Sequence, residues 1–386
     1  MIIQDKMPGG KILILVDWFY PGYKAGGPIQ SCINLCRALN TQYSIYVLTT
    51  DTDHQELTPY NNIESNSWLY NSNLNIHIYY AKKKTLTTKQ LALQINFIGA
   101  DFIYLNHLFS SYFVVYPLWL AVLNKIKAKI IMCPRGALYD SALSLKSYKK
   151  IPLLILYRWL GIHRRVIFHA TNQREQTAIE KYFPGSHIIV ADNLPNSLQG
   201  GFKTITKEPG KLLCIFISRI VPIKNLIFLL RVLQDVKQQV ELTIAGPVED
   251  ETYWKQCKKY ITHLPSNIRV HYTGPKSNHE IAGLIQQHHL FILPTTGENF
   301  GHSIFEALLA GRPVLISDQT PWHNLQHQNA GWDLPLAYPP EFLKVIEQLS
   351  ACSQDGFDTM AKGAWNFAAT FLQQNDARKK YKNLFS

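Results

Sequence analysis

The stretch that decides the fold is Leu293-Pro-Thr-Thr-Gly-Glu298-Asn-Phe-Gly301-His-Ser303-Ile-Phe-Glu306-Ala-Leu. It opens on the end of an apolar run, Leu290–Leu293, which reads as a buried strand. It passes through a loop closed by a glycine and enters a helix from Ser303 to Ala310. Strand, short loop and helix in this order are half of a βαβ unit, and they predict a parallel sheet covered by helices. The helix is expected to open near Ser303, so its free N–H groups point back into the loop and form an anion site. Glu306 falls on the expected first turn, where its carboxylate can accept from paired hydroxyls such as those of a ribose.

Upstream, Ile217-Ser-Arg219-Ile-Val-Pro-Ile-Lys224-Asn follows the strand Leu212–Ile217 and precedes the helix Asn225–Gln234. Arg219 and Lys224 therefore belong at the carboxyl edge of the sheet, where open α/β sheets bind ligands. A guanidinium fork and an ammonium there suit a diphosphate. Further strands are expected at Glu241–Ala245, Arg269–Tyr272 and Pro313–Ser317, with a helix at Asn278–Gln286.

The first half repeats the alternation. Strands are expected at Lys11–Val16, Ser44–Leu48, Phe102–Leu105, Lys129–Met132, Ile167–Ala170 and Ile188–Val190, with a glycine-rich break at Gly22–Gly27 and a helix at Ile29–Leu39. The pattern stops over Asn193–Gly210, which reads as a hinge. The chain of 386 residues accommodates two such domains, over 1–195 and 196–358. A terminal helix over 359–386 follows, free to return to the first domain. The fold class is α/β, with two doubly wound Rossmann-like domains facing across a cleft.

Composition narrows the class. The six cysteines are scattered without zinc spacing and read as reduced core thiols. No secretory signal is visible, and the longest apolar runs, Phe113–Leu123 and Ile151–Leu156, are short of a spanning helix. The chain reads as cytoplasmic, with attachment to the inner face of a membrane left open. Residues 1–195 hold 20 Lys+Arg against 11 Asp+Glu, so +9 of the net +12 lies there. That balance suits an anionic partner. Nucleic acid is not expected, because no recognition motif accompanies the charge.

Taken together, Arg219…Lys224, Ala245-Gly246, Tyr272-x-Gly274, the Glu298–Glu306 pair and Ala310-Gly311-x-Pro313-Val314 resemble the family 4 (group 1) retaining glycosyltransferases of the GT-B fold. The resemblance covers most of the chain. It implies a hexosyltransferase-type enzyme that takes a sugar from a nucleotide diphosphate donor without a metal or other cofactor. It implies that Arg219 and Lys224 bind the diphosphate and that Glu306 holds the ribose. Glu298 and the backbone that follows it, at Phe300, Gly301, His302 and Ser303, lie against the donor. In the first domain, Gly26 and Gly27 match a glycine loop near the phosphates, and His107 matches a histidine near the reacting sugar. Pro134-Arg135-Gly136, and His169-Ala-Thr171 followed by Glu175, resemble a bacterial subgroup of surface-polysaccharide and lipopolysaccharide assembly, with a glycan or lipid-linked acceptor. Two positions depart from the common pattern: Asn299 and Ser218 stand where many members have glycine.

Each candidate has a plainer reading beside it. Gly26–Gly27 is either a phosphate loop or a turn into a helix. His107 is either a site residue or a structural histidine. Arg135 contacts a phosphate or makes an interdomain salt bridge. Asp51-Thr-Asp53 resembles a metal-binding pair but lies outside the expected donor side. Lys146–Arg165 has basic ends around an apolar centre. It is either a core helix with a solvated edge or a segment that lies on an anionic membrane. A nucleotide-sugar epimerase and a non-catalytic sugar-nucleotide-binding protein remain the alternatives to transfer.

Overall fold

The computed structural model describes residues 7, 9–144, 147–195, 201–374 and 376–386. Its internal contacts divide the chain into two units, Met1–Leu194 with Asp376–Ser386, and Pro195–Asn375.

The first unit is built on eight strands: β1 (Lys11–Leu15), β2 (Ser44–Thr50), β3 (Trp68–Asn71), β4 (Ile76–Ala81), β5 (Phe102–Asn106), β6 (Lys129–Cys133), β7 (Val166–Ala170) and β8 (His187–Val190). Their order is β3-β4-β2-β1-β5-β6-β7-β8, parallel except where β3 joins β4. β1 shows why the sheet is covered on both faces. Ile12 and Ile14 enter one apolar cluster while Leu13 and Leu15 enter the other. Alternate side chains leave a strand on opposite sides, so an all-apolar strand needs cover on both. The strand order reverses between β1 and β5, which makes the ends of those two strands this sheet's switch point.

The second unit has six parallel strands: β9 (Lys211–Ile217), β10 (Gln239–Ala245), β11 (Ile268–Tyr272), β12 (Leu290–Leu293), β13 (Val314–Ser317) and β14 (Gly331–Leu334). They run in the order β11-β10-β9-β12-β13-β14, the doubly wound arrangement of dinucleotide-binding sheets, with its switch point between β9 and β12. One apolar core spans the unit.

Three expectations need correction. The closing segment is two helices, Gln354–Gln374 in the second unit and Ala377–Leu384 in the first. The latter is held in the first unit by buried Tyr381, Leu384 and Phe385, by Lys380 on Asp192 at 2.8 Å, and by Tyr43 donating to the Phe385 carbonyl. The expected hinge is also shorter than Asn193–Gly210, of which 196–200 lie outside the described residues. From 203 onward the chain is fastened to the second unit. Arg312 donates to the Lys203 carbonyl, Gln354 to that of Ile205, and the buried Lys207 ammonium to those of Ser350 and Cys352. Finally, β3, β4, β14 and the helices Thr88–Ile98, Glu251–Thr262 and Pro339–Ala351 were not anticipated. All six cysteines are free thiols, five of them buried.

Candidate functional site

In the second unit the loops after β9 and β12 are sewn together. Ile223 is the common anchor: its carbonyl accepts from the Thr296 N–H at 2.8 Å and from the Thr295 hydroxyl at 3.0 Å. This brings Lys224, on a short 3₁₀ turn Pro222–Lys224, onto Glu298, and the two form an ion pair. Only 11% of the Lys224 side chain and 14% of the Glu298 side chain are exposed. Burying two charges carries a desolvation cost that their attraction does little more than offset, so such a pair is weak evidence for a stabilising role. Its place at the switch point gives it another meaning.

Arg219 lies in the same loop after β9, on the side of β10. Ser218 N–H donates to the Ala245 carbonyl and Ile220 N–H to that of Pro247, so the loop after β9 runs beside the loop after β10. Arg219 there pairs with Glu249. The fit demands glycine at 246: its φ is +140°, and a Cβ would stand 2.0 Å from the Ser218 carbonyl oxygen. Glu249 was not anticipated. Its signal was available, since β9 and β10 are neighbours and a carboxylate four residues past β10 faces a cation two residues past β9.

The helix after β12 runs His302–Leu309, with Gly301 as its N-cap at φ +77°. It therefore starts one residue earlier than expected. Glu306 is its fifth residue, on the second turn and not the first, and is partly exposed. Ser303 and His302 occupy the first turn, and both are partly exposed. Phe300 was expected to meet the donor sugar through its backbone, and its side chain is turned inward. Its ring is buried among Trp322, Phe305 and Phe371, and its carbonyl accepts from the Trp322 indole N–H at 2.6 Å. Phe300 anchors the loop that carries Glu298; its side chain faces the core.

In the first unit, the loop after β1 is shaped by Asp53, whose carboxylate accepts from the Tyr23 and Lys24 N–H groups. Asp51 accepts from the Ser65 hydroxyl and the Lys83 N–H. Both carboxylates thus organise loops. Gly26, at φ +69°, caps the helix Gly27–Leu39, and a Cβ there would meet nothing within 4 Å. The glycine is needed for its backbone angle and leaves open space beside a helix N-terminus.

His107 follows β5 with φ +152°, an angle that side chains rarely adopt. Its Nδ1 accepts from the Phe109 N–H at 3.2 Å. Burial, and then the Lys150 charge, push its pKa down to about 4. The ring is neutral with its proton on Nε2, and it can donate a hydrogen bond but not act as a base through Nδ1.

Arg135, at φ +56°, donates to Asn106 Oδ1 at 2.7 Å, to Tyr104 Oη at 3.0 Å and to Asn193. These are neutral partners in its own unit. Tyr104 in turn donates to His169 Nδ1 at 2.8 Å, and His169 Nε2 donates to the Ala191 carbonyl. Burial, and then Arg135, hold the His169 pKa down at about 3. The fully buried Glu175 accepts from the Gly136 N–H and from the Thr171 N–H and hydroxyl. The two sequence motifs around Arg135 and His169 are therefore one hydrogen-bonded assembly at the ends of β6 and β7.

Residues 202–329 match the family model of glycosyl transferases, group 1. The matched stretch lies in the second unit, which is similar to group 1 glycosyl transferases over that length, and the protein is a glycosyltransferase. Solved structures match over nearly its whole length. HepE of Anabaena in complex with UDP-glucose aligns with TM-score 0.68 at 18% identity, covering 97% of this chain and 98% of that one. Sucrose-phosphate synthase of Thermosynechococcus elongatus gives 0.69 at 14% identity, with the same coverages. WaaG, a glycosyltransferase involved in lipopolysaccharide biosynthesis, gives 0.64 at 11%, covering 97% of this chain and 99% of that one. Identities this low establish the fold, and the glycosyltransferase has the GT-B fold. A search of curated proteins found no match.

Proposed function

We propose that the protein transfers a hexosyl group from a nucleoside diphosphate sugar to an acceptor hydroxyl, with retention at the anomeric carbon, in bacterial surface-polysaccharide or lipopolysaccharide assembly. The observation that carries this reading is the Lys224–Glu298 pair at the switch point between β9 and β12, with Arg219 beside it and a helix N-terminus at Gly301. Two cations and a helix end suit a diphosphate leaving group without a metal. The WaaG likeness supports the lipopolysaccharide setting, and the UDP-glucose held by HepE supports the donor class.

In the chain as it stands both cations face carboxylates. The reaction then begins with an exchange of partners. The diphosphate takes Arg219 from Glu249 and Lys224 from Glu298, and Glu298 turns to hydroxyls of the sugar. Glu306 accepts from the ribose hydroxyls. As the bond from anomeric carbon to diphosphate oxygen breaks, Arg219, Lys224 and the N–H groups past Gly301 receive the growing negative charge. The departing phosphate oxygen takes the proton of the attacking hydroxyl on the same face, so configuration is kept. On the acceptor side we assign His107 a donor role through Nε2–H.

The test is product analysis by NMR with a panel of nucleotide sugars, with and without acceptor. An α-linked product from an α-configured donor, formed only with acceptor, is expected. An epimerised donor formed without acceptor, or an inverted linkage, overturns the reading.

A further inference from the structure

The helix Ser147–Trp159 carries apolar residues on two opposite faces. Leu154 and Tyr157 are buried in the first unit's core, and Tyr157 donates to the Leu108 carbonyl. Half a turn away, Tyr148, Ile151, Ile155 and Trp159 recur every three or four residues and so share one stripe. Leu156 borders it. That stripe faces solvent: Tyr148 is 70% exposed, Ile155 63% and Trp159 81%. Pro152 sits inside the helix without ending it. The stripe is therefore continuous.

Charge borders it on both sides. At 100° per residue, Lys149 lies on one edge and Arg158 on the other, and both are exposed. Arg164 and Arg165 follow, exposed, just past the helix end. Lys150 is turned away, with its ammonium on the Ala142 carbonyl and over the Phe109 ring. Between Asp140 and Glu175 the sequence has no acidic residue, and Asp140 itself is paired with Lys181.

We infer that this stripe is a docking face for a bilayer containing acidic lipid. Tryptophan and tyrosine favour the membrane interface, and Lys149 and Arg158 reach sideways to headgroups while their stems cover apolar surface. Each basic side chain near an acidic leaflet adds to the attraction. A second copy fits poorly. A two-fold contact would set Lys149, Arg158, Arg164 and Arg165 against themselves with no acidic residue of the segment to pair. The inference does not depend on the transfer reaction.

The test uses the full chain with vesicles of phosphatidylcholine, with and without phosphatidylglycerol. Co-flotation with the acidic vesicles is expected at low salt and should weaken as salt rises. The double variant Ile155→Ser/Trp159→Ser should lower the partition about tenfold or more, because it removes apolar anchors at the interface. Lys149→Gln/Arg158→Gln should lower it and flatten its salt dependence. Both variants should keep the thermal midpoint and the turnover of a soluble acceptor. Three results each overturn the inference: no binding to acidic vesicles at low salt, unchanged binding in Ile155→Ser/Trp159→Ser, or a wild-type dimer in light scattering that this variant dissociates. The first two leave the transfer reading intact.

Discussion

The carboxyl edges of the two sheets solve different electrostatic problems. In the second unit, the two cations singled out in the loop after β9 each meet a carboxylate: Lys224 meets Glu298 and Arg219 meets Glu249. In the first unit, Arg135 is held by Asn106, Asn193 and Tyr104, and His107 and His169 are kept uncharged. One edge is paired in advance and ready to exchange partners with an anion. The other holds the Arg135 guanidinium among neutral partners, although the loops after β1 and β2 carry a Lys24–Glu56 pair of their own. Under the proposed reaction, a strongly anionic donor would meet the paired cations of the second unit and a hydroxyl acceptor would approach the first.

The largest expected effect tests the paired edge. Lys224→Ala should lower turnover by roughly 10²–10³-fold at saturating donor, as loss of one electrostatic stabiliser does. It also leaves Glu298 buried without its partner, so the thermal midpoint should fall as well. Arg219→Ala should lower turnover by a similar factor. Near wild-type turnover in both variants would remove these cations from the leaving group. Next, Glu306→Ala should weaken donor binding by about 2–4 kcal/mol in calorimetry, the loss of charge-assisted bonds to ribose hydroxyls. Unchanged affinity would show that its place on the second turn puts it out of reach.

The buried histidines make a prediction about pH. His169 and His107 titrate in the folded chain at about 3 and about 4, below the ordinary value of 6.5. The unfolded chain takes up their protons first. The stability that neutral rings confer is complete above about pH 6.5 and is lost as pH falls toward those folded values. Each ring costs about 1.4 kcal/mol per pH unit in that window. Thermal midpoints between pH 7 and pH 5 should therefore decline. His289, at about 4 in the second unit, adds to the same slope. A flat profile would mean that these rings are not held neutral by burial.

A smaller effect probes the exchange itself. Arg219 and Glu249 are about one-third and one-quarter exposed, so their pairing is worth about 0.2–1 kcal/mol. Glu249→Gln should tighten nucleoside diphosphate binding by up to about fivefold, because a competing carboxylate is gone. Weaker binding would show instead that Glu249 aims the fork. The smallest expected effect is none: activity should persist in excess chelator. Asp51 and Asp53, the pair that resembles a metal motif, are occupied by backbone and hydroxyl donors. Loss with EDTA and recovery with manganese would reopen that pair.

The sequence by itself determined the parallel sheets and the ends of their strands. All-apolar runs such as Leu290–Leu293 need cover on both faces, and the residue after such a run must lie at the sheet's carboxyl edge. That is why Arg219, Lys224, Glu298 and His107 were legible as edge residues. It did not show β3, where Trp68–Asn71 is only partly covered and pairs antiparallel at the margin, leaving a weak apolar pattern. Tertiary structure alone decided which edge residues meet. Arg219 reaches Glu249 because β9 lies beside β10, and Lys224 reaches Glu298 because β12 lies on the other side of β9. Strand order is set by packing over the whole sheet, and no local window of sequence records it. The same holds for Phe300 and Trp159. One precedes a helix and the other ends one, and only the neighbours that fold against them place one in the core and the other in solvent.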